Sequence, residues 1–176
     1  MRRPGCRRQG GQSILELAIA TPVLLVLMMG AFNVGALVID KAVAGYATWA
    51  GARLAGELGP GVNGQTQSQV DQQVVQNVLA SSTNLSYATI SEIDVYSPTG
   101  ADGSLNPATD QYDAFDGHGN SVSWGFPFSS RQQVPPDETS IGVRILWRYT
   151  PPTAGYSFTM QLSEYSVVKV APVLPT

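Results

Sequence analysis

The stretch Gly11–Asp40, GQSILELAIATPVLLVLMMGAFNVGALVID, decides what kind of molecule this is. From Leu17 to Ile39 it carries no charged residue, a run of 23 positions. As a helix, such a run spans the ~30 Å hydrocarbon core of a bilayer. One carboxylate, Glu16, stands at its front between Leu15 and Leu17, inside the apolar sequence and not in a polar flank. A carboxylate at the edge of hydrocarbon is costly and is normally neutralised by a partner. Physics alone leaves two readings of Glu16. Its side chain reaches the headgroups and favours the positive end of the helix, or it is neutralised by a partner.

The run is longer than the ~7–15 residue apolar core of a cleavable secretory signal. A small-residue cleavage pattern at Ala42–Ala44 is the chance match expected of so Ala-rich a stretch. Four arginines (Arg2, Arg3, Arg7, Arg8) precede the span, whereas only Lys41 and Arg53 follow it closely. The basic side stays cytoplasmic, which places the rest of the chain outside. Within the span, Pro22 lies near the start, where a missing backbone donor costs least. Asn33 is a polar amide in the outer half, and Gly30, Ala31 and Gly35 are small enough to admit a neighbouring helix. Pro22, Gly30, Asn33 and Gly35 are therefore the candidate helix-packing positions.

The remainder bounds a single small domain. From Asp40 onward six basic residues face twelve acidic ones, and the only basic cluster is the N-terminal tail, so nothing suggests nucleic acid. Cys6 is the one cysteine and His118 the one histidine, which excludes an intrachain disulfide and a Cys/His metal site. Cys6 follows Arg-Arg-Pro-Gly, without the apolar stretch of a lipoprotein signal, and reads as a reduced thiol in a cytosolic tail.

Beyond Asp40 the helical pattern continues, with Val43, Ala47, Ala50, Leu54 and Leu58 at helical spacing, until Gly59-Pro60-Gly61 breaks it. One helix from Ser13 to Leu58 would be ~65–70 Å long, too long to bury its apolar face in so small a domain. Residues 68–82, SQVDQQVVQNVLASS, read as a second helix with Val70, Val74, Val78 and Leu79 as its stripe and Ser68 or Thr66 as its cap. Strand signals follow at Ile90–Tyr96. A second is Ser140–Tyr149, where Ile141, Val143, Ile145, Trp147 and Tyr149 alternate with Gly142, Arg144 and Arg148, and a third is Tyr156–Val170. Trp147 and Tyr149 read as core. Residues 97–138, rich in Gly, Asp, Asn and Pro, read as a long surface excursion with a short hairpin around Val122–Phe126. The fold class is α+β. A long transmembrane N-terminal helix continues into a small domain with a second helix and an antiparallel sheet of about three to four strands.

No catalytic set emerges. His118 lies between glycines in DGHGN, where it would be poorly oriented as a base. No glycine-rich loop stands between a strand and a Lys-bearing helix, so no phosphate cradle is present. The oxygen-rich stretch with Asp110, Asp113, Asp116 and Asn120 makes Asp113 and Asp116 weak candidates for a metal, calcium by chemistry. Their spacing is not that of a calcium-binding helix-loop-helix, and a solvated loop is the plainer reading. No cofactor is implied.

GQSILELAIATPVLL resembles the N-terminus of a type IV pilin-like protein, and the wider pattern resembles the TadE-like pseudopilins of the tight-adherence (Flp) pilus system. The family's glycine, Glu-X-Ala-Leu-like core and proline are met by Gly11, Glu16, Leu17, Ala18 and Pro22. Its small-residue stretch is met by Gly51, Ala52, Arg53 and Ala55, and its terminal strands by Val143–Tyr149, Pro151–Pro152 and Val167–Pro172. Residues 60–138 match no family pattern. The resemblance implies a leader 1–11 cut after Gly11 by a prepilin peptidase, a mature chain starting at Gln12, and Glu16 as its fifth residue. Ending the leader at Gly10 instead would make Glu16 the sixth. It also implies a transmembrane and extended helix over 12–58 and an extracytoplasmic domain over 59–176. The partners implied are other pilin-like subunits and the pilus assembly platform, through the N-terminal helix, besides membrane lipid. The major pilin of such systems has Tyr after the Glu and is very short. Leu17 and the large ectodomain favour an accessory, minor pilin-like assembly protein acting in pilus biogenesis and adhesion. The rival readings are an uncleaved, signal-anchored binding module using the acidic 97–138 region, and a membrane-tethered hydrolase, which lacks a base.

Overall fold

The computed structural model describes residues 10–59, 61, 64–131, 139–153 and 158–170. Helix α1 runs unbroken from Gly10 to Leu58, 49 residues, and is ~73 Å long at 1.5 Å per residue. Gly59, at φ 50°, ends it in the left-handed conformation that glycine adopts without strain. Helix α2, Gln67–Ser81, begins at a capping box: the Thr66 hydroxyl accepts from the Gln69 amide, and the Gln69 side chain accepts from the Thr66 amide. Of the two caps the sequence allowed, Thr66 is the one used. The buried face of α2 is Val70, Asp71, Val74, Val75 and Val78, with Leu79 packed at its margin.

The sheet has five antiparallel strands in the order β3-β2-β1-β4-β5, where β1 is Ala88–Ser97, β2 Gln111–Asp116, β3 Ser121–Ser123, β4 Ser140–Tyr149 and β5 Met160–Lys169. The α+β architecture is the expected one, but the strand count exceeds three to four. β2 and β3 lie inside 97–138, where the sequence suggests only a short hairpin around Val122–Phe126; β3 overlaps that hairpin at Val122, but its partner is β2, and residues 124–126 form no strand. QYDAFD of β2 carries aspartates at two of its six positions, which masks the strand signal. Asp113 is nevertheless fully buried beside Ala114 and Phe115, because a cation reaches it from another segment.

β4 alternates as its sequence dictates: Ile141, Val143, Ile145, Trp147 and Tyr149 are all buried. They form the floor on which α1 lies. The facing side of α1 is Ala36, Asp40, Ala44, Ala47, Thr48, Ala52 and Ala55, small residues that let the helix axis approach the sheet. Gly51 is fitted between the side chains of Val78 on α2 and Val143 on β4, and Gly56 sits against Val168 and the Lys169 carbonyl. The small-residue segment Gly51–Gly56 is thus the joint of α1, α2, β4 and β5. The opposite side of the sheet is partly covered by residues 98–110. There the Tyr96 hydroxyl donates to the Gly103 carbonyl (2.6 Å) and the Tyr165 hydroxyl to the Asp102 carbonyl (3.2 Å).

Candidate functional site: the exposed side of helix α1

Helix α1 divides into two parts. From Ser13 to Phe32 its apolar side chains are largely exposed, and residues 13–58 include a window long and apolar enough to cross a membrane, with 6% of that window buried. Asn33 ties the helix to the domain. Its amide donates to the Thr153 hydroxyl (2.7 Å), which donates back to the Asn33 side-chain oxygen (3.0 Å). The Tyr149 hydroxyl donates to the Asn33 carbonyl at 2.8 Å. Two turns further on, the buried Asp40 carboxylate accepts from the amides of Ser86 (3.0 Å) and Tyr87 (3.0 Å).

Of the residues singled out in sequence, Gly11 and Gln12 lie in the first turns of α1, and Glu16 is exposed on the next. Pro22 is accommodated within the helix. It lacks a backbone donor for the Ala18 carbonyl. Next to it, the Thr21 hydroxyl folds back onto the Leu17 carbonyl at 2.7 Å, so this hydroxyl needs no water. Gly30 is half-buried and Gly35 exposed, and a Cβ at either would meet nothing within 4 Å. Their surfaces are open to another helix, whereas the Asn33 side chain faces its own domain.

The sequence reading missed the pattern to which Gly35 belongs. Met28, Phe32, Gly35, Ile39, Ala42, Tyr46, Trp49 and Arg53 follow one another at alternating steps of four and three, and all are exposed. That spacing is the 3.5-residue repeat of a coiled-coil seam. The seam starts in the membrane-type segment and runs on, opposite the sheet, along the domain. Its upper part is aromatic and cationic. Tyr46 and Trp49 are 59% and 46% exposed with ring centroids 5.9 Å apart, and the Arg53 guanidinium lies 5.8 Å from the Trp49 ring. Arg53 is tied to Glu57 at 2.9 Å. The 4-3 spacing was visible in sequence, but which side of the helix the domain leaves bare was not.

The acidic excursion does not form one site. Asp110 is a loop staple, accepting from the Thr99 amide (3.1 Å), the Thr99 hydroxyl (2.5 Å) and the Asn106 amide (2.8 Å). Asp116 closes the β2–β3 turn, accepting from the His118 and Asn120 amides and the Asn120 side chain at 2.8–2.9 Å. Asp113 points into the core. It accepts from the Gly125 and Phe126 amides, from Gln67 and from Arg131. Among the described residues no group of three or more His, Cys, Asp or Glu is placed to hold a metal ion.

Arg131 is the centre of a buried charge cluster. Its guanidinium forks onto both oxygens of Asp71 (2.7 and 2.9 Å), reaches Asp113 (3.1 Å) and donates to the Phe126 carbonyl (3.1 Å). It lies 4.4 and 5.2 Å from the rings of Phe126 and Phe128. Burial pushes Asp71 up to about 7; the Arg131 guanidinium opposes that rise and the Asp113 carboxylate adds to it. This cluster holds the segment after β3 against α2 and β2. It is enclosed, which makes it a structural tie and not a ligand site.

The model of the TadE-like protein family matches residues 11–53, which is α1 from its first turns to Arg53. This is the family that Gly11, Glu16, Leu17, Ala18 and Pro22 resemble, and the matched segment contains the whole exposed seam. No curated protein and no solved structure matches the chain.

Proposed function

We propose that this chain is a pseudopilin, a minor pilin-like assembly protein of a tight-adherence pilus, anchored in the bacterial cytoplasmic membrane by α1 with its folded domain outside. The observation that carries this reading is the seam on α1. A helix that crosses a bilayer and then presents Ile39, Ala42, Tyr46 and Trp49 to solvent has a surface made for another long helix running beside it. The four arginines before Gly11 set the orientation. A prepilin peptidase removes residues 1–11, and the new α-amine on Gln12 ordinarily titrates near ~8, so it is largely cationic at neutral pH. Glu16, the fifth residue of the cut chain, pairs with such an amine on a neighbouring helix, and the pairing fixes the axial stagger of the two rods. Other pilin-like subunits occupy the seam, and the assembly platform engages the same helix from the membrane.

The test is the mass of the mature chain in its native membrane, followed by co-purification with pilin-like subunits. Gln12 as the first residue supports the reading; a chain beginning at Met1 or Arg2 refutes it in favour of a signal-anchored binding module. Glu16→Ala is expected to be inserted and cut yet to lose co-assembly, and normal pilus formation by that variant would remove the role given to Glu16.

A further inference from the structure

The end of the sheet nearest the membrane-type segment is made by three pieces of chain. Tyr87 precedes β1, Thr150–Thr153 follow β4, and Phe158 leads into β5. Strand pairing puts Ala88, Tyr149 and Met160 in one row, and the Thr150 amide donates to the Tyr87 carbonyl at 2.8 Å. Tyr87, Phe158 and Met160 are 38%, 47% and 39% exposed. From Thr150 to Met160 the sequence holds no charge, in a domain whose surface is otherwise acidic and rich in small polar residues.

Helix α1 sets the height of this row. Thr153 is bonded to Asn33, while Tyr87 is bonded to Asp40, ~10 Å further along the axis. The ~30 Å of hydrocarbon takes about 20 helical residues. Counted from Leu17 those residues end at Ala36; counted from Ile14 they end at Asn33. Either count brings Thr153 to the hydrocarbon boundary and Tyr87 to the outer part of the headgroup layer. The Asn33–Thr153 pair fits that position. An amide facing lipid would be costly, and here the hydroxyl of the turn satisfies both its donor and its acceptor. The turn and the helix can therefore enter the same layer as one unit.

We propose that this end of the domain is a lipid-contacting foot: the Thr150–Thr153 turn, Phe158, Met160 and Tyr87 sit in the interfacial layer of the leaflet on the domain's side. The proposal rests on α1 spanning the membrane and adds a second, folded contact with lipid. Phe158 and Met160 bury apolar surface at the acyl boundary, and Tyr87 keeps its hydroxyl among the headgroups. Arg148, exposed and one residue before Tyr149, is positioned to reach headgroup phosphate. The contact fixes the tilt of the domain and thereby the direction in which the α1 seam faces along the membrane plane.

The experiment uses the full chain in phosphatidylcholine–phosphatidylglycerol vesicles. Cys6→Ser removes the one native thiol, and a polarity-sensitive fluorophore is placed on Phe158→Cys, with Phe32→Cys and Glu57→Cys as references. Quenching is read with lipids brominated high on the acyl chains and with aqueous iodide. The Phe158 label is expected to be blue-shifted against the Glu57 label, quenched by the brominated lipid and protected from iodide. A Phe158 label that responds like Glu57 while the Phe32 label is quenched by lipid overturns the foot and leaves the anchor standing. A Phe32 label open to iodide overturns both. Phe158→Trp with Trp49→Phe and Trp124→Phe reads the same contrast without a bulky label, and a water-exposed emission from it overturns the proposal equally.

Discussion

Replacing Arg131 by Met keeps most of the side-chain stem and removes the one cation that, among the described residues, pairs with Asp71 and Asp113. The structure gives the magnitude its scale. The guanidinium, Asp71 and Asp113 are all within 2% of full burial, so the two carboxylates would be left facing each other without water. Removing one partner of a buried ion pair costs ~3–5 kcal/mol. In a domain of this size that lowers the melting temperature by roughly 10–20 °C. The cost depends on pH in a definite direction. Asp71 already stands at about 7 in the folded chain against 3.8 for a free side chain. Loss of the cation, which pulls that value down, drives it higher. In acid Asp71 takes up a proton and donates to Asp113, which spares most of the penalty; in alkali it must ionise or unfold. The loss in Arg131→Met is therefore expected to be about twice as large near pH 8 as near pH 5. Chemical unfolding of the full chain in detergent, followed by tryptophan emission with Trp147 in the core, measures both values. A loss below ~1 kcal/mol, or one equal at the two pH values, would refute the description of the cluster as a buried, ion-paired tie.

The unsubstituted protein should show the same linkage. Folded Asp71 and Asp94 are both raised to about 7, by burial first, against Arg131 and Arg144 respectively. A carboxylate raised on folding stabilises fully below its unfolded value and loses that contribution as pH climbs through the folded one, so unfolding free energy should fall between about pH 4 and pH 7, and Asp71→Asn should flatten the slope. Gly51→Ala should destabilise by ~1–3 kcal/mol although alanine is the better helix former, because the added Cβ runs into Val78 and Val143, whereas Gly45→Ala, with nothing within 4 Å, should stabilise by ~0.5–1 kcal/mol in the same unfolding assay. Asp40→Ala strips the Ser86 and Tyr87 amides of their acceptor and should cost ~2 kcal/mol, with hydrogen exchange accelerated at those two amides; unchanged exchange there would contradict the brace.

What could be read from the chain alone follows from how local each determinant is. The alternation of Ile141, Val143, Ile145, Trp147 and Tyr149 is a local pattern, and β4 carries it into the core unchanged. The capping box of α2 is local too, with Thr66 and Gln69 three residues apart. The apolar run of α1 needs no tertiary context at all. β2 escaped because its stability depends on Arg131, which is 18 residues from Asp113 and 60 from Asp71. An aspartate in a candidate strand reads as solvent-facing until its cation is known. The same holds for Asn33. As a sequence feature it is a polar amide available for helix packing, and its hydroxyl partner lies 120 residues away. Asp110, Asp113 and Asp116 look like one oxygen cluster on paper, yet loop, core and turn take one each.

The two sides of α1 between Asp40 and Leu58 are made from different residue sets, and the difference bears on assembly. Against the sheet stand Ala44, Ala47, Gly51, Ala52, Ala55 and Gly56; away from it stand Tyr46, Trp49 and Arg53. A protein that only needed a stable domain would put the large side chains in the core, where full burial of each contributes ~1.5–3 kcal/mol. Here the core side is kept thin and the bulk is turned outward. Tyr46 and Trp49 are each about half exposed, so a neighbouring helix gains on the order of 1 kcal/mol from covering either one. Such a contact is too weak to hold two soluble domains together. It is sufficient when the helices are already aligned in one membrane, because anchoring removes much of the entropic cost of meeting. Under the proposed function, the seam above the bilayer would select a partner and a register, while the segment within it would supply the proximity. On this reasoning Tyr46→Glu with Trp49→Glu should leave insertion and folding intact and abolish crosslinking between neighbouring chains through Ala42→Cys. Full crosslinking in that variant would mean that the membrane segment alone determines which helices pair.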